Sequence, residues 1–155
     1  MNKLGLVTAV VVTLVLGGCA SNRGITEIRQ VDAGIKRVMI VRDAPTRETV
    51  LPVLEQWFSD NGFEYRVAES PSEADASEAT FTYRAWWGWD LAMYMREVHL
   101  TVSKAESMIG LVKFDALQYG GFGKFGNGED RLGTIMDVLF GKITEEEANS
   151  RLGSQ

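Results

Sequence analysis

Between Ala79 and Ala116 apolar side chains recur largely at every second position, and that run decides most of what this chain can fold into. Phe81, Tyr83 and Ala85 alternate with Thr80, Thr82 and Arg84, the pattern of a strand with one buried and one wet face. The alternation predicts a strand from Ala79 to Trp86-Trp87, a turn at Gly88, and a long second strand from Leu91 to Ser103. On that strand Tyr94, Val98, Leu100 and Val102 should point one way and Met93, Met95, His99 and Thr101 the other. Lys104-Ala105-Glu106-Ser107 reads as a polar hairpin loop. Met108 to Ala116 is the third strand, with Met108, Val112 and Phe114 opposite Ile109, Leu111 and Lys113. Three consecutive strands with short turns make an antiparallel meander, whose apolar face needs a cover.

Two segments at helical spacing can supply it. Thr46 to Asp60 carries Val50, Leu51, Leu54, Trp57 and Phe58 on one stripe and stops at Asn61-Gly62. Pro52 fits only in a first turn, so the regular helix should begin near Thr49. The second segment has Asn127 as cap, Glu129 and Asp130 at the positive end of the helix dipole, and Leu132, Ile135, Met136, Leu139 and Phe140 as its stripe before Gly141. Arg37 to Arg42 and Phe63 to Ala68 read as further strands, Pro71 to Glu78 as a polar loop or short helix, and Thr144 to Glu147 as a capping box opening a short final helix. The order β-α-β-β-β-β-α predicts an α+β fold, a two-layer sandwich of one mostly antiparallel sheet with helices on one face.

The amino-terminal segment carries an address. Met1-Asn2-Lys3 precedes an uncharged apolar run from Leu4 to Leu16, then Gly17-Gly18-Cys19-Ala20. This is the positive start, apolar stretch and small-residue cleavage site of a secretory leader. As a helix, thirteen residues would reach about 20 Å at about 1.5 Å per residue, short of the roughly 30 Å of hydrocarbon in a bilayer. Cys19 is the chain's only cysteine, so no internal disulfide can form. Residues 1–18 are therefore expected to be a signal peptide, residues 19–34 a cysteine and tether, and residues 35–155 one folded domain. Within the tether, Thr26 to Gln30 could add a short strand.

The hydrophobic fraction of 45% is that of a chain able to bury a core. The net charge of −5 argues against nucleic-acid binding, which needs clustered Lys and Arg. Loss of the leader removes Lys3 and leaves 15 basic against 21 acidic side chains, about −6. A negative domain gains nothing from an anionic lipid surface, so attachment to a membrane must have another source.

Catalytic signals are sparse. His99 is the only histidine, with no nucleophile near it in sequence, and the chain lacks the His and Cys that a zinc site needs. In Gly120 to Gly128, Phe125 follows Lys124 where a phosphate-binding P-loop requires Ser or Thr, so a turning loop is the simpler reading. Three of the four tryptophans fall in Trp86-Trp87-Gly88-Trp89-Asp90. Alternation sends Trp86 and Trp87 to opposite faces, so at most one can join the covered core. Trp86, Trp87, Trp89 and Tyr94 are the candidate contact residues, since tryptophan is enriched at binding hot spots and at membrane interfaces. Packing of these rings on each other, or on Phe122 and Phe125, is the competing reading.

Leu16-Gly17-Gly18-Cys19 resembles the lipobox of bacterial lipoproteins. The resemblance implies cleavage before Cys19, a diacylglyceryl group on its thiol, and an N-acyl chain such as palmitate; no other cofactor and no metal is expected. With Ala20 rather than Asp after the cysteine, it implies passage to the outer membrane, facing the periplasm, with inner membrane or cell surface left open. Together with the run Trp86 to Met95, Gly120-Gly121-Phe122-Gly123-Lys124-Phe125 and the closing helix, the lipobox makes the chain similar to the Sbal-type family, small proteobacterial lipoproteins with no assigned activity. The element order is more loosely similar to small outer-membrane assembly lipoproteins and to the amino-terminal domain of TolB-like proteins. The expectation is a non-enzymatic, lipid-anchored domain that binds an envelope protein through the tryptophan hairpin. Cell-wall glycan stacked on the rings is the alternative, and a hydrolase using Asp90 and Glu97 is the third.

Overall fold

The computed structural model describes residues 24–32 and 34–154. The predicted leader, Leu16, Gly17, Gly18 and Cys19 lie outside the described residues. The strands are β1 (Ile25–Arg29), β2 (Arg37–Val41), β3 (Glu64–Ala68), β4 (Ala79–Asp90), β5 (Ala92–Lys104) and β6 (Ser107–Asp115). The helices are α1 (Val50–Asp60), α2 (Gly128–Leu139) and α3 (Glu145–Gly153), with single 3₁₀ turns at Pro71–Glu73, Ala116–Tyr119 and Gly123–Phe125. One sheet holds all six strands in the order β1-β6-β5-β4-β2-β3.

Connection lengths explain the pairing. Helix α1 carries the chain back along the sheet, so β2 and β3 run parallel, and β4 enters parallel to β2 on its other side. β4, β5 and β6 form the predicted meander, and β1 adds antiparallel to β6 at the edge. Between β5 and β6, Lys104 pairs with Ser107 across Ala105 and Glu106, both at positive φ, the two-residue turn whose twist matches the strands. The expected α+β architecture is therefore present, with three helices over one face.

The core lies between the helices and that face. Val38, Ile40, Phe81, Val98, Leu100, Val102, Val112 and Phe114 from the sheet meet Leu54, Phe58, Leu132, Ile135, Met136 and Leu139 from the helices. Trp57, Phe58, Phe63 and Phe140 pack ring against ring with centroids 5.0–5.8 Å apart. Trp57 Nε1 donates to Asp137 Oδ1 at 2.9 Å and ties α1 to α2. Pro52 is the third residue of α1, where no helical donor is lost. Asn127 caps α2 by accepting from the backbone N–H of Glu129 and Asp130, and Thr144 caps α3 by accepting from Glu147 N–H.

Three expectations need correction. The β4–β5 turn falls at Leu91, at φ 61°, rather than at Gly88, which stays in the strand opposite Tyr94. Glycine is required there because a Cβ would sit 2.5 Å from the Tyr94 ring. Secondly, β5 contains a bulge: Trp86 faces Glu97 and Trp87 faces Met95, so Arg96 has no partner on β4. The extra residue turns Met95 into the core, whereas strict alternation had placed it with His99. A similar irregularity at Ile109 leaves Met108 exposed instead of aligned with Val112. Thirdly, much of the predicted tether is folded. Gly24 lies under Tyr119 and Phe114, Ile25 and Val31 are buried, and Val31 N–H donates to Leu139 O at 2.8 Å. The short strand allowed for at Thr26 to Gln30 forms one residue earlier and covers β6.

Candidate functional site

The site is built from the part of the β4–β5 hairpin that outruns the sheet. β6 ends at Asp115, opposite Glu97, while the hairpin continues to Leu91. Five ladder steps at about 3.3 Å each carry it about 16 Å further, Arg96 being the extra residue of the bulge. The chain after β6 folds against this overhang: the turns at Ala116–Tyr119 and Gly123–Phe125 both contact β5.

The four candidate residues do not form one platform. Trp87 is half-buried beside Met95 and the start of α2, with the Arg47 guanidinium 4.6 Å from its ring centroid. Its Nε1 is buried without a hydrogen-bond partner. Tyr94 is buried, edge-to-face with Phe125 at 5.5 Å and within 5.5 Å of the Lys124 ammonium. Trp86 turns to the opposite face and sits edge-to-face on His99 at 4.8 Å. Trp89 pairs with Met93, whose sulfur accepts from Arg47, so Trp89 shares the Trp87 side but stands 73% exposed. Thus two rings pack inward, as the competing reading expected, and two face solvent on opposite sides.

Sequence reasoning missed the residues that complete the exposed set. Leu91 at the tip is 80% exposed and Phe122 82%, with Leu117 also open; Met93, which the sequence places beside the tryptophans on the next strand, is exposed with them. Their signal was their type: three large apolar side chains at a strand start and in connecting segments.

Arg131 was missed as well. It sits in the first turn of α2, and its side chain is fully buried. Its guanidinium donates to Lys124 O at 2.7 Å and to Gly123 O, and lies 5.8 Å from the Phe114 ring and 6.0 Å from that of Tyr119. Burial pushes its pKa down, while Tyr119 opposes the shift. Gly126 has no Cβ because one would sit 2.6 Å from Arg131 Nε. The glycine-rich loop is therefore wound around an arginine, with Gly120 and Gly121 at positive φ, and its carbonyls are committed to that side chain.

Polar groups nearby are paired off. Lys124 Nζ bonds Asp90, and His99 Nε2 lies 2.9 Å from Glu97 Oε1. Asp90 and Glu97 are held by different partners, and Asp90 lies opposite Ala92, five residues along β5 from Glu97. With Arg96 bulged out, that is four ladder steps or about 13 Å of strand, against the roughly 5–9.5 Å between carboxylates that act together in glycoside hydrolysis. A cleft of about 240 Å³ beside Trp87 is lined by Thr49, Val50, Met95 and Asn127. It is smaller than the roughly 300–1,000 Å³ of small-molecule sites. Among the described residues no three His, Cys, Asp or Glu side chains converge as a metal site would need, and no helix is long and apolar enough to cross a membrane.

No family model and no curated protein matches the chain. Among solved structures it is similar to that of a minor lipoprotein from Acinetobacter baumannii, at 9% identity over 78% of this chain and 92% of that one, with a TM-score of 0.30. A likeness at that level carries no argument about fold or function.

Proposed function

We propose that the chain is a bacterial envelope lipoprotein, cut before Cys19 and held on a membrane by acyl chains on that residue, whose folded part is a non-catalytic contact module. The observation that carries this reading is Leu16-Gly17-Gly18-Cys19 directly after an apolar run too short to span a bilayer. A diacylglyceryl cysteine inserts two acyl chains, and two are enough for stable anchoring where one is marginal. Ala20 favours the outer membrane with the domain in the periplasm. The hairpin end is the contact surface, supported by the exposure of Trp86, Trp89 and Leu91. Sugar stacking gains nothing from Trp86 and Trp89 facing opposite sides, and the separation of Asp90 from Glu97 leaves a paired-carboxylate hydrolase without support.

Fractionation of cells expressing Cys19→Ser tests the anchor. The native protein should sediment with the outer membrane and the variant should not. A variant that is processed normally and still sediments with envelopes would remove the anchor from the reading.

A further inference from the structure

The sheet places the start of the described chain and the exposed apolar residues at the same end of the molecule. Ile25, the first residue of β1, pairs with Phe114 at the end of β6, and Gly24 packs against Tyr119. The carboxyl ends of β4 and β6 and the amino ends of β1, β5, α1 and α2 all lie here. Trp89, Leu91 and Met93 project from the hairpin, with Leu117 and Phe122 from the neighbouring loop.

Two lengths then agree. Cys19 is five residues before Gly24, so the connection reaches at most about 18 Å even when fully extended. The hairpin outruns β6 by about 16 Å in the same direction. A cysteine anchored at a bilayer surface therefore cannot hold the domain clear of that surface by much more than the length of the hairpin. Chemistry at this end suits the encounter. Arg47 and Arg96 are exposed beside the apolar tip and Asp90 is bonded to Lys124, while Glu48, Glu129 and Asp130 are exposed at the starts of the two helices, so the encounter rests on the apolar side chains rather than on charge. Tryptophan beside aliphatic residues and cations is what the headgroup region accommodates.

We infer that the hairpin tip, Trp89, Leu91 and Met93 with Phe122, rests in the lipid interface of the membrane that holds Cys19, so that the domain is held by its acyl chains and oriented by its hairpin. This rests on the anchor proposed above and names the lipid surface as the partner of that contact end. The anchor sets where the protein is; the tip sets which way it faces.

The acylated full-length protein, reconstituted in phosphatidylethanolamine/phosphatidylglycerol vesicles with brominated acyl chains, separates the two ideas. Flotation of vesicles reports the anchor, and quenching of tryptophan emission reports the tip. Native protein should float and be quenched. Trp89→Phe should float as well but lose most of the quenching, since the other tryptophans are packed in the core or lie further back. Leu91→Ser/Phe122→Ser, both exposed positions, should float with weakened quenching and unchanged circular dichroism. Flotation without quenching, or quenching untouched by both variants, overturns the docking while sparing the anchor. Failure to float overturns both. A detergent-solubilised dimer abolished by the same variants would give the surface to a second copy and equally overturn the proposal.

Discussion

Arg131 shows how one residue organises a loop that composition alone would leave open. A buried guanidinium needs acceptors; here two backbone carbonyls and two aromatic rings surround it, and no carboxylate is bonded to it. Arg131→Ala leaves the Gly123 and Lys124 carbonyls without their donor and opens a cavity against Phe114. Stability should fall by about 3 kcal/mol in urea unfolding, with the loss concentrated in protection of the loop amides. Asp43 supplies a pH-dependent counterpart. Burial opposes its ionisation, but hydrogen bonds from Arg84 and Thr46 outweigh burial and hold its carboxyl below the usual carboxylate range. A pKa lowered by folding stabilises the fold above the unfolded carboxylate value, and the gain disappears as pH falls through the folded value. Asp43→Asn should therefore cost stability at neutral pH, and the difference from native protein should shrink as pH falls through and below the ordinary carboxylate range. A difference independent of pH would assign the loss to packing.

Among the elements, helix ends and the sheet edge carry the sharpest expectations. Asn127 satisfies two free N–H groups of α2, so Asn127→Ala should cost about 1 kcal/mol in thermal or urea unfolding. β1 covers the edge of β6, so a form of the domain starting at residue 35 should expose unpaired backbone and aggregate, measurable as light scattering at constant concentration. The meander and the helix stripes were legible because Phe81, Tyr83, Val98, Leu100 and Val112 keep a period of two, and Leu132, Ile135, Met136 and Leu139 that of a helix. Nothing in Arg96 marks a bulge, because an extra residue is a property of the pairing of two strands. Gly88 looked like a turn for a related reason: glycine serves tight turns and close approaches alike, and only the Tyr94 ring across the ladder tells them apart. β1 was ambiguous because three apolar residues, Ile25, Ile28 and Val31, suffice for an edge that buries few side chains. At the contact end the tryptophans were visible as a cluster and alternation parted Trp86 from Trp87, but which of the two joins the core depended on Met95 and His99, contacts made by folding.

At the scale of the molecule, the six strands and three helices of the described residues place an apolar hairpin and the start of β1 at one end. Because β1 begins only six residues after Cys19, the fold itself brings the contact end close to wherever that residue is held. Orientation and address are thereby coupled through a short stretch of chain. Lengthening it should uncouple them: ten Gly/Ser residues inserted after Ser21 would raise the average reach of the connection from about 12 to about 21 Å. The lengthened protein should still float with vesicles while its fit at the interface, read as tryptophan quenching, falls. The most direct test of the central claim is the mass of the amino-terminal peptide from envelope-purified protein. A chain beginning at Cys19 and bearing two or three acyl groups is the predicted result. A chain that retains residues 1–18, or a cleaved one with a free thiol at Cys19, would contradict it.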